Sequence, residues 1–263
     1  VLDLGIPSWV FQGQVSSNII SNINKNWYNM LDVNIPNVFL PHTMANYETA
    51  DRQIFYLGRD TNGWGNLSHL FQTYKDNLWE YPADSSDCLR GFGFLDYNKN
   101  NPYGFWTLVC RLHLRLKGIE ETVPISKNLD QKFKHLLSDF GWGNIHSIET
   151  KKSLEKRDIW RQLDTQKYNF TKERSKILDK LKHILEVFNP ELIFIFNWDA
   201  EEEPYLEGLQ IIESEGVDGS GFRIAKYRFE GYRTTLYWTD HPGSIKFKSR
   251  RLENFISVLI SRV

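Results

Sequence analysis

Ile177-Leu178-Asp179-Lys180-Leu181-Lys182-His183-Ile184-Leu185-Glu186-Val187-Phe188-Asn189-Pro190-Glu191-Leu192-Ile193-Phe194-Ile195-Phe196 sets the architecture of this chain. Ile177, Leu178, Leu181, Ile184, Leu185 and Phe188 recur at helical spacing and form one apolar stripe. Asn189-Pro190 closes that helix. The run Leu192 to Phe196 is continuously apolar, as a strand covered on both faces reads.

The same alternation extends outward. Ile54-Phe55-Tyr56-Leu57 is a second continuous run, and Thr234-Thr235-Leu236-Tyr237-Trp238 and the weaker Ile145-His146-Ser147-Ile148 read as two further buried strands. Phe105, Leu108, Val109, Leu112 and Leu116 make another helical stripe, and Leu252, Phe255, Ile256, Leu259 and Ile260 a C-terminal one. Strands alternating with helices predict an α/β domain: a mostly parallel sheet with helices on both faces. Arg223 to Glu230 alternates and reads as an edge strand. Residues 1–50 are Asn-rich. Ile19, Ile20, Ile23, Trp27 and Met30 predict one helix near 14–31, and Asn37 to Leu40 is an extended piece between Pro36 and Pro41. We therefore divide the chain into an N-terminal helical cap, 1–50, packed on an α/β domain, 51–263.

Composition narrows the function classes. Of 263 residues, 41% are hydrophobic and 25% charged, which excludes a disordered chain or a disulfide scaffold. Aromatics reach 14%, enough to line a binding surface as well as a core. With 32 basic and 33 acidic side chains the net charge is −1, so only a local basic patch supports nucleic-acid binding. The two cysteines, Cys88 and Cys110, are too few for a four-cysteine zinc or iron–sulfur site, and reduced thiols fit a cytoplasmic location. The other histidines, His42, His69, His113, His135, His146 and His183, show no metal-ligand spacing. No apolar run nears the roughly 20 residues of a membrane span, so a membrane partner is not expected. No basic-then-apolar leader opens the residues given. The chain opens on Val1 rather than Met, which leads us to expect a further N-terminal piece ahead of it.

In a parallel sheet, ligands bind where the strands end. After the first strand comes Gly58-Arg59-Asp60-Thr61-Asn62-Gly63-Trp64-Gly65, a turn with one carboxylate, Asp60. Asn-Gly also marks hairpins, but Trp64-Gly65-Asn66-Leu67 does not continue as an alternating strand. Before the second strand lies Phe140-Gly141-Trp142-Gly143-Asn144, whose Asn144 amide pairs a donor with an acceptor, as reading a base edge requires. After the third comes the acidic loop Asn197-Trp198-Asp199-Ala200-Glu201-Glu202-Glu203-Pro204. After the fourth comes Asp240-His241-Pro242-Gly243-Ser244, then Lys246, Lys248, Arg250 and Arg251 at the start of the last helix, a combination suited to phosphate.

In this order the pieces resemble the uracil-DNA glycosylase superfamily. Leu57-Gly58-Arg59-Asp60-Thr61-Asn62-Gly63-Trp64-Gly65 is similar to its first motif, in a variant where the carboxylate is followed by Thr-Asn-Gly-Trp, and His241-Pro242-Gly243-Ser244 is similar to its second, His-Pro-Ser. The resemblance spans roughly residues 50–263. It implies a three-layer α/β/α sandwich around a mostly parallel four-stranded sheet. The implied activity is hydrolysis of the N-glycosidic bond of a flipped-out uracil or modified pyrimidine, leaving an abasic site, in DNA repair or anti-phage defence. The familiar uracil-excising motif reads Gly-Gln-Asp-Pro-Tyr, whose Tyr crowds out a 5-methyl group. Thr61 and Asn62 stand at the Pro and Tyr places here, which admits a pyrimidine with a bulky 5-substituent.

The resemblance gives Asp60 the water and the sugar charge, and His241 a hydrogen bond to the base oxygen as it becomes anionic. Gly58, Arg59, Asn62 and Trp64 form the turn around the substrate, and Asn144 reads the base. Phe92, Phe94 or Tyr103 stacks on it. Ser244, Lys246, Lys248, Arg250 and Arg251 hold the DNA. The enzyme so described acts on DNA as a monomer and requires no metal or organic cofactor. Two other classes stay open: a metal-dependent nuclease or hydrolase using Asp60, Asp199 and Glu201, which a chelator would inhibit, and a non-catalytic nucleic-acid binder of the same fold.

Overall fold

The computed structural model describes residues 42–44, 46–58, 104–119, 137, 139–146, 150–156, 158, 160–175, 181–197, 202–217, 221–242 and 249–263. The helix expected near 14–31 and the extended piece at 37–40 lie outside them.

The described residues form an α/β fold. The strands are β1 (His42–Thr43), β2 (Ile54–Gly58), β3 (Phe140–Asn144), β4 (Leu192–Phe196), β5 (Ile211–Val217), β6 (Ile224–Phe229) and β7 (Thr235–Thr239). The helices are α1 (Phe105–Leu116), α2 (Lys151–Lys156), α3 (Thr165–Ser175), α4 (Leu181–Phe188), α5 (Glu202–Leu206) and α6 (Ser249–Ile260). One sheet takes all seven strands in the order β1-β3-β2-β4-β7-β6-β5. The inner four, β3-β2-β4-β7, are parallel, and β1, β6 and β5 add antiparallel to either side. The sheet is thus mixed and larger than the four strands expected. His42 and Thr43 join it, since β1 pairs with β3, and Tyr47 is fully buried with its hydroxyl donating to Phe188 O at 3.1 Å.

Two strand expectations are corrected. The second parallel strand is 140–144; Ile145 and His146 lie past its end, and Ser147 and Ile148 are outside the described residues. Its Phe-Gly-Trp-Gly-Asn sequence reads as a loop because glycine disfavours strands. The glycines are there for packing. Phe140 and Trp142 fill one face, while Gly141 leaves room on the other for the Phe55 ring, whose Cδ2 and Cε2 atoms would lie 2.2 Å from any added Cβ. The second correction concerns 223–230: β6 is an inner strand between β7 and β5, and β5 is the edge. A strand with one open face alternates in sequence whether or not its sides are paired, so periodicity did not separate the two cases.

Alternation sorts the parallel strands onto two cores. Tyr56, Phe140, Phe194 and Tyr237 face α1 and α6. Phe55, Ile193, Ile195 and Trp238 face α4 and the buried Tyr205 and Leu206 of α5. Both faces are therefore helix-covered, which is why β2 and β4 lack polar alternation. On the first face Tyr56, Phe194 and Tyr237 are register neighbours on β2, β4 and β7 and stack in a row, with centroids 5.6 and 5.4 Å apart. Such pairs add about 0.5–1.5 kcal/mol each beyond their burial.

Local signals end the helices where the sheet needs them to end. Past α1, Gly118 adopts φ +76, its N–H bonds Arg115 O at 2.9 Å, and Ile119 N–H reaches back to Leu114 O at 3.0 Å. This is the Schellman closure, which favours glycine because the left-handed backbone penalises a Cβ. Past α4, Asn189 takes φ +42 and Pro190 stops the helix, so the chain turns directly into β4 as the sequence predicts.

Candidate active site at the carboxyl end of the sheet

Register puts the ends of the four parallel strands on one level. Gly58 pairs with Asn144, Leu57 with Ile195, and Phe196 with Thr239. Asn144 is therefore the last residue of β3 rather than a loop residue ahead of a strand, and it stands beside Gly58. An added Cβ on Gly58 would come 2.9 Å from Asn144 Oδ1 and 3.5 Å from Phe105 Cε2. The Phe105 ring in turn meets Phe196 edge-on at 5.9 Å. The carboxamide of Asn144 and the ring of Phe105 thus both close on Gly58 at the strand end, with buried Phe196 behind the ring. Phe105 is a functional candidate that its sequence pattern concealed, because the first residue of an apolar helical stripe reads as core.

At the other end of the row, β7 leads into His241 through Asp240. The Asp240 carboxylate is buried and clamped by Arg223, with the guanidinium Nε at 2.6 Å and the backbone N–H at 3.1 Å. Arg223 directly precedes β6 and Asp240 directly follows β7, so this pair ties the entry of one strand to the exit of the next and fixes the start of the loop that carries His241. His241 is half-buried and Pro242 buried. Thr239 Oγ1 donates to Ile195 O at 3.1 Å, holding β7 against β4 just below.

Between these ends, Asn197 directly follows β4. It is only 3% exposed, its carbonyl accepts the indole N–H of Trp238, and its Nδ2 is buried with no hydrogen-bond partner among the described residues. In the sequence the acidic run behind it draws attention away from this residue.

Several expected site residues lie outside the described residues: Arg59, Asp60, Asn62, Trp64, Phe92, Phe94, Tyr103, Ser244, Lys246 and Lys248, together with Asp199 and Glu201. Arg250 and Arg251 fall in the first turn of α6. The exposed Arg251 guanidinium sits over the Phe222 ring, 5.6 Å from its centroid. Among the described residues no group of three His, Cys, Asp or Glu side chains could hold a metal ion, and no helix is long and apolar enough to cross a membrane.

A second polar cluster lies in the core under α1. Tyr56 Oη is 3.0 Å from His113 Nδ1, His113 Nε2 is 2.7 Å from Asp139 Oδ1, and Lys117 Nζ bonds the other Asp139 oxygen. A carboxylate only accepts, so His113 Nε2 carries a proton, and Nδ1 of a neutral ring accepts from the tyrosine. Burial pushes the Asp139 carboxyl up, but the hydrogen bonds from His113 and Lys117 outweigh it and hold it below its ordinary value. Burial drives the Tyr56 hydroxyl and the Cys110 thiol well up, so both stay neutral. Asp139 precedes β3 and therefore sits at the end of the sheet opposite Asn144, which makes this cluster part of the scaffold.

No family model, no curated protein and no solved structure matches the chain.

Proposed function

We propose that the chain is a DNA glycosylase of the uracil-DNA glycosylase type, hydrolysing the N-glycosidic bond of a flipped-out uracil or modified pyrimidine to leave an abasic site. One structural observation carries the reading beyond the motifs. Gly58, Asn144 and His241 are far apart in sequence, yet they end or follow parallel strands of one sheet, in the spatial order β3-β2-β4-β7. Those four strands with helices on both faces agree with the sandwich that the resemblance implies, and β1, β5 and β6 are additions to it.

The chemistry asked of these residues is modest in kind. The glycosidic bond breaks with its electron pair leaving on the base. The sugar becomes cationic, water adds at the same carbon, and the proton it gives up neutralises the departed base. Asp60, two residues beyond Gly58, supplies the negative charge beside the sugar and orients the water. His241 donates a hydrogen bond to the base oxygen as charge develops there, which is where a donor accelerates the reaction most. Asn144 offers the base a paired donor and acceptor. Phe105 joins Phe92, Phe94 and Tyr103 as a surface for the base to stack on. With Thr61 and Asn62 in place of Pro and Tyr, the substrate class extends to pyrimidines carrying a 5-substituent. Such bases connect the activity to repair or to defence against phages with modified DNA.

The test is a panel of oligonucleotides carrying uracil, 5-hydroxymethylated or glucosylated pyrimidines, treated with the protein and then with alkali. We expect strand breaks at one class of marked base, unaffected by EDTA and reduced on the order of 10²–10³-fold in Asp60→Asn. Breaks that need no alkali and vanish with EDTA would instead identify a metal-dependent nuclease. Binding without any abasic product, unchanged in Asp60→Asn, would identify a binder.

A further inference from the structure

We infer that Asn197 is a specificity-determining residue whose carboxamide N–H donates to a carbonyl oxygen of the bound base; this rests on the glycosylase reading above. Asn197 directly follows β4, the strand that separates β2, with Gly58, from β7, with His241 beyond it. It therefore stands at the middle of the row of strand ends where a ligand of such a sheet binds. The residue is 3% exposed, and its Nδ2 has no hydrogen-bond partner among the described residues. Native proteins rarely leave a buried donor unmatched, and an apolar residue of similar volume there would be better for the fold alone.

The rest of Asn197 is already engaged. Its backbone carbonyl takes the Trp238 indole N–H, and Trp238 is fully buried against the second core. That bond does not use the side chain, so the carboxamide is not needed to hold Trp238. None of the described residues accepts from Nδ2, which leaves it for an acceptor supplied by a ligand. A pyrimidine base presents ring carbonyl oxygens of that kind, and a donor at the centre of the row complements the Asn144 carboxamide at its edge. Two amides on separate strands then restrict the base to one orientation, which a single amide does not.

The experiment compares wild type with Asn197→Leu and Asn197→Ala, measuring the melting temperature and kcat/KM on the oligonucleotide that wild type cleaves best. Asn197→Leu keeps the branched heavy-atom skeleton and removes the donor, and Asn197→Ala removes it without adding bulk. We expect it to melt at or above the wild-type temperature while kcat/KM falls about tenfold, the scale of one lost hydrogen bond to ligand. A lowered melting temperature in both variants, with activity falling in step, would show that the amide serves the fold and overturn the inference. So would kcat/KM within twofold of wild type in both variants. If wild type cleaves no oligonucleotide of the panel, the glycosylase reading fails separately. The Asn197 assignment is then decided by free uracil as the probe: a thermal shift in wild type that Asn197→Leu lacks supports it, and no shift or equal shifts overturn it.

Discussion

Gly58 and Asn144 are register partners on the last rung of β2 and β3, and the Asn144 carboxamide oxygen fills the space that a Cβ on Gly58 would need, at 2.9 Å. The glycine is what allows the amide to stand over the strand end. The obstructing atom is the tip of a side chain, so the structure can yield by moving Asn144 rather than the backbone. Gly58→Ala should therefore fold, at a cost of about 1 kcal/mol. Its kcat/KM should fall on the order of 10²-fold, because misplacing a positioning group by about 1 Å has that effect. The damage runs through Asn144, so Gly58→Ala in an Asn144→Ala background should add little. Fully additive losses in the double-mutant cycle would contradict this.

Gly141 poses the opposite case. A Cβ there would lie 2.2 Å from the Phe55 ring, which is fully buried and packed against Phe188 at 5.1 Å and Tyr47 at 6.2 Å. The ring has nowhere to go, so Gly141→Ala should cost about 3 kcal/mol in urea unfolding, the upper part of the usual overpacking range. Adding Phe55→Leu should recover part of it. An unchanged urea midpoint in the single variant would show that the β2–β3 pairing is looser than its register implies.

The Asp139 cluster gives stability an acid limb. Its carboxyl is held below the ordinary value in the folded chain by His113 and Lys117. A depressed folded value means that the contribution is fully present above the unfolded value of about 4 and is lost as pH falls from there through the folded one. We expect a stability decline below about pH 4 that is shallower in Asp139→Asn, with Asp139→Asn itself less stable at pH 7 by about 2 kcal/mol. Parallel pH profiles for the two proteins would remove Asp139 as the source.

His241 tests the leaving-group argument. It follows Asp240, which Arg223 pins, so its loop starts from a fixed point. His241→Ala should raise the barrier by about 3 kcal/mol, seen mainly in kcat, as for one lost oxyanion donor. The loss should shrink for a base that is already a good leaving group. Equal losses on two bases of different acidity, together with a lowered melting temperature, would make His241 a structural residue.

DNA affinity should depend on salt despite a net charge of −1. Replacing Lys246, Lys248 and Arg250 with Ala should flatten the log–log salt slope on duplex DNA by about 0.9 for each phosphate that is no longer neutralised. Arg251→Ala should change it least, because that guanidinium stacks on Phe222. A slope that survives the triple substitution would place the DNA elsewhere.

Read alone, the sequence located most of the buried segments and named the candidate residues for chemistry. Covered strands such as Leu192–Phe196 must be apolar on both sides, and the stripe ending at Phe188 before Asn189-Pro190 leaves no choice but a helix. Tertiary structure alone decided the placement of 140–144 and the neighbours of each strand end. Gly141 disfavours a strand locally and is required there by the Phe55 ring of the adjacent strand, a contact made across 86 positions of chain that no window of sequence contains. Phe105 and Asn197 were legible as an apolar helix start and a loop residue. Their standing as candidates comes from what pairing brings beside them: Gly58 and Phe196 for the first, and the end of β7 for the second. Composition and period report whether a side chain is buried; only the register of the sheet sets which other side chains it is buried with.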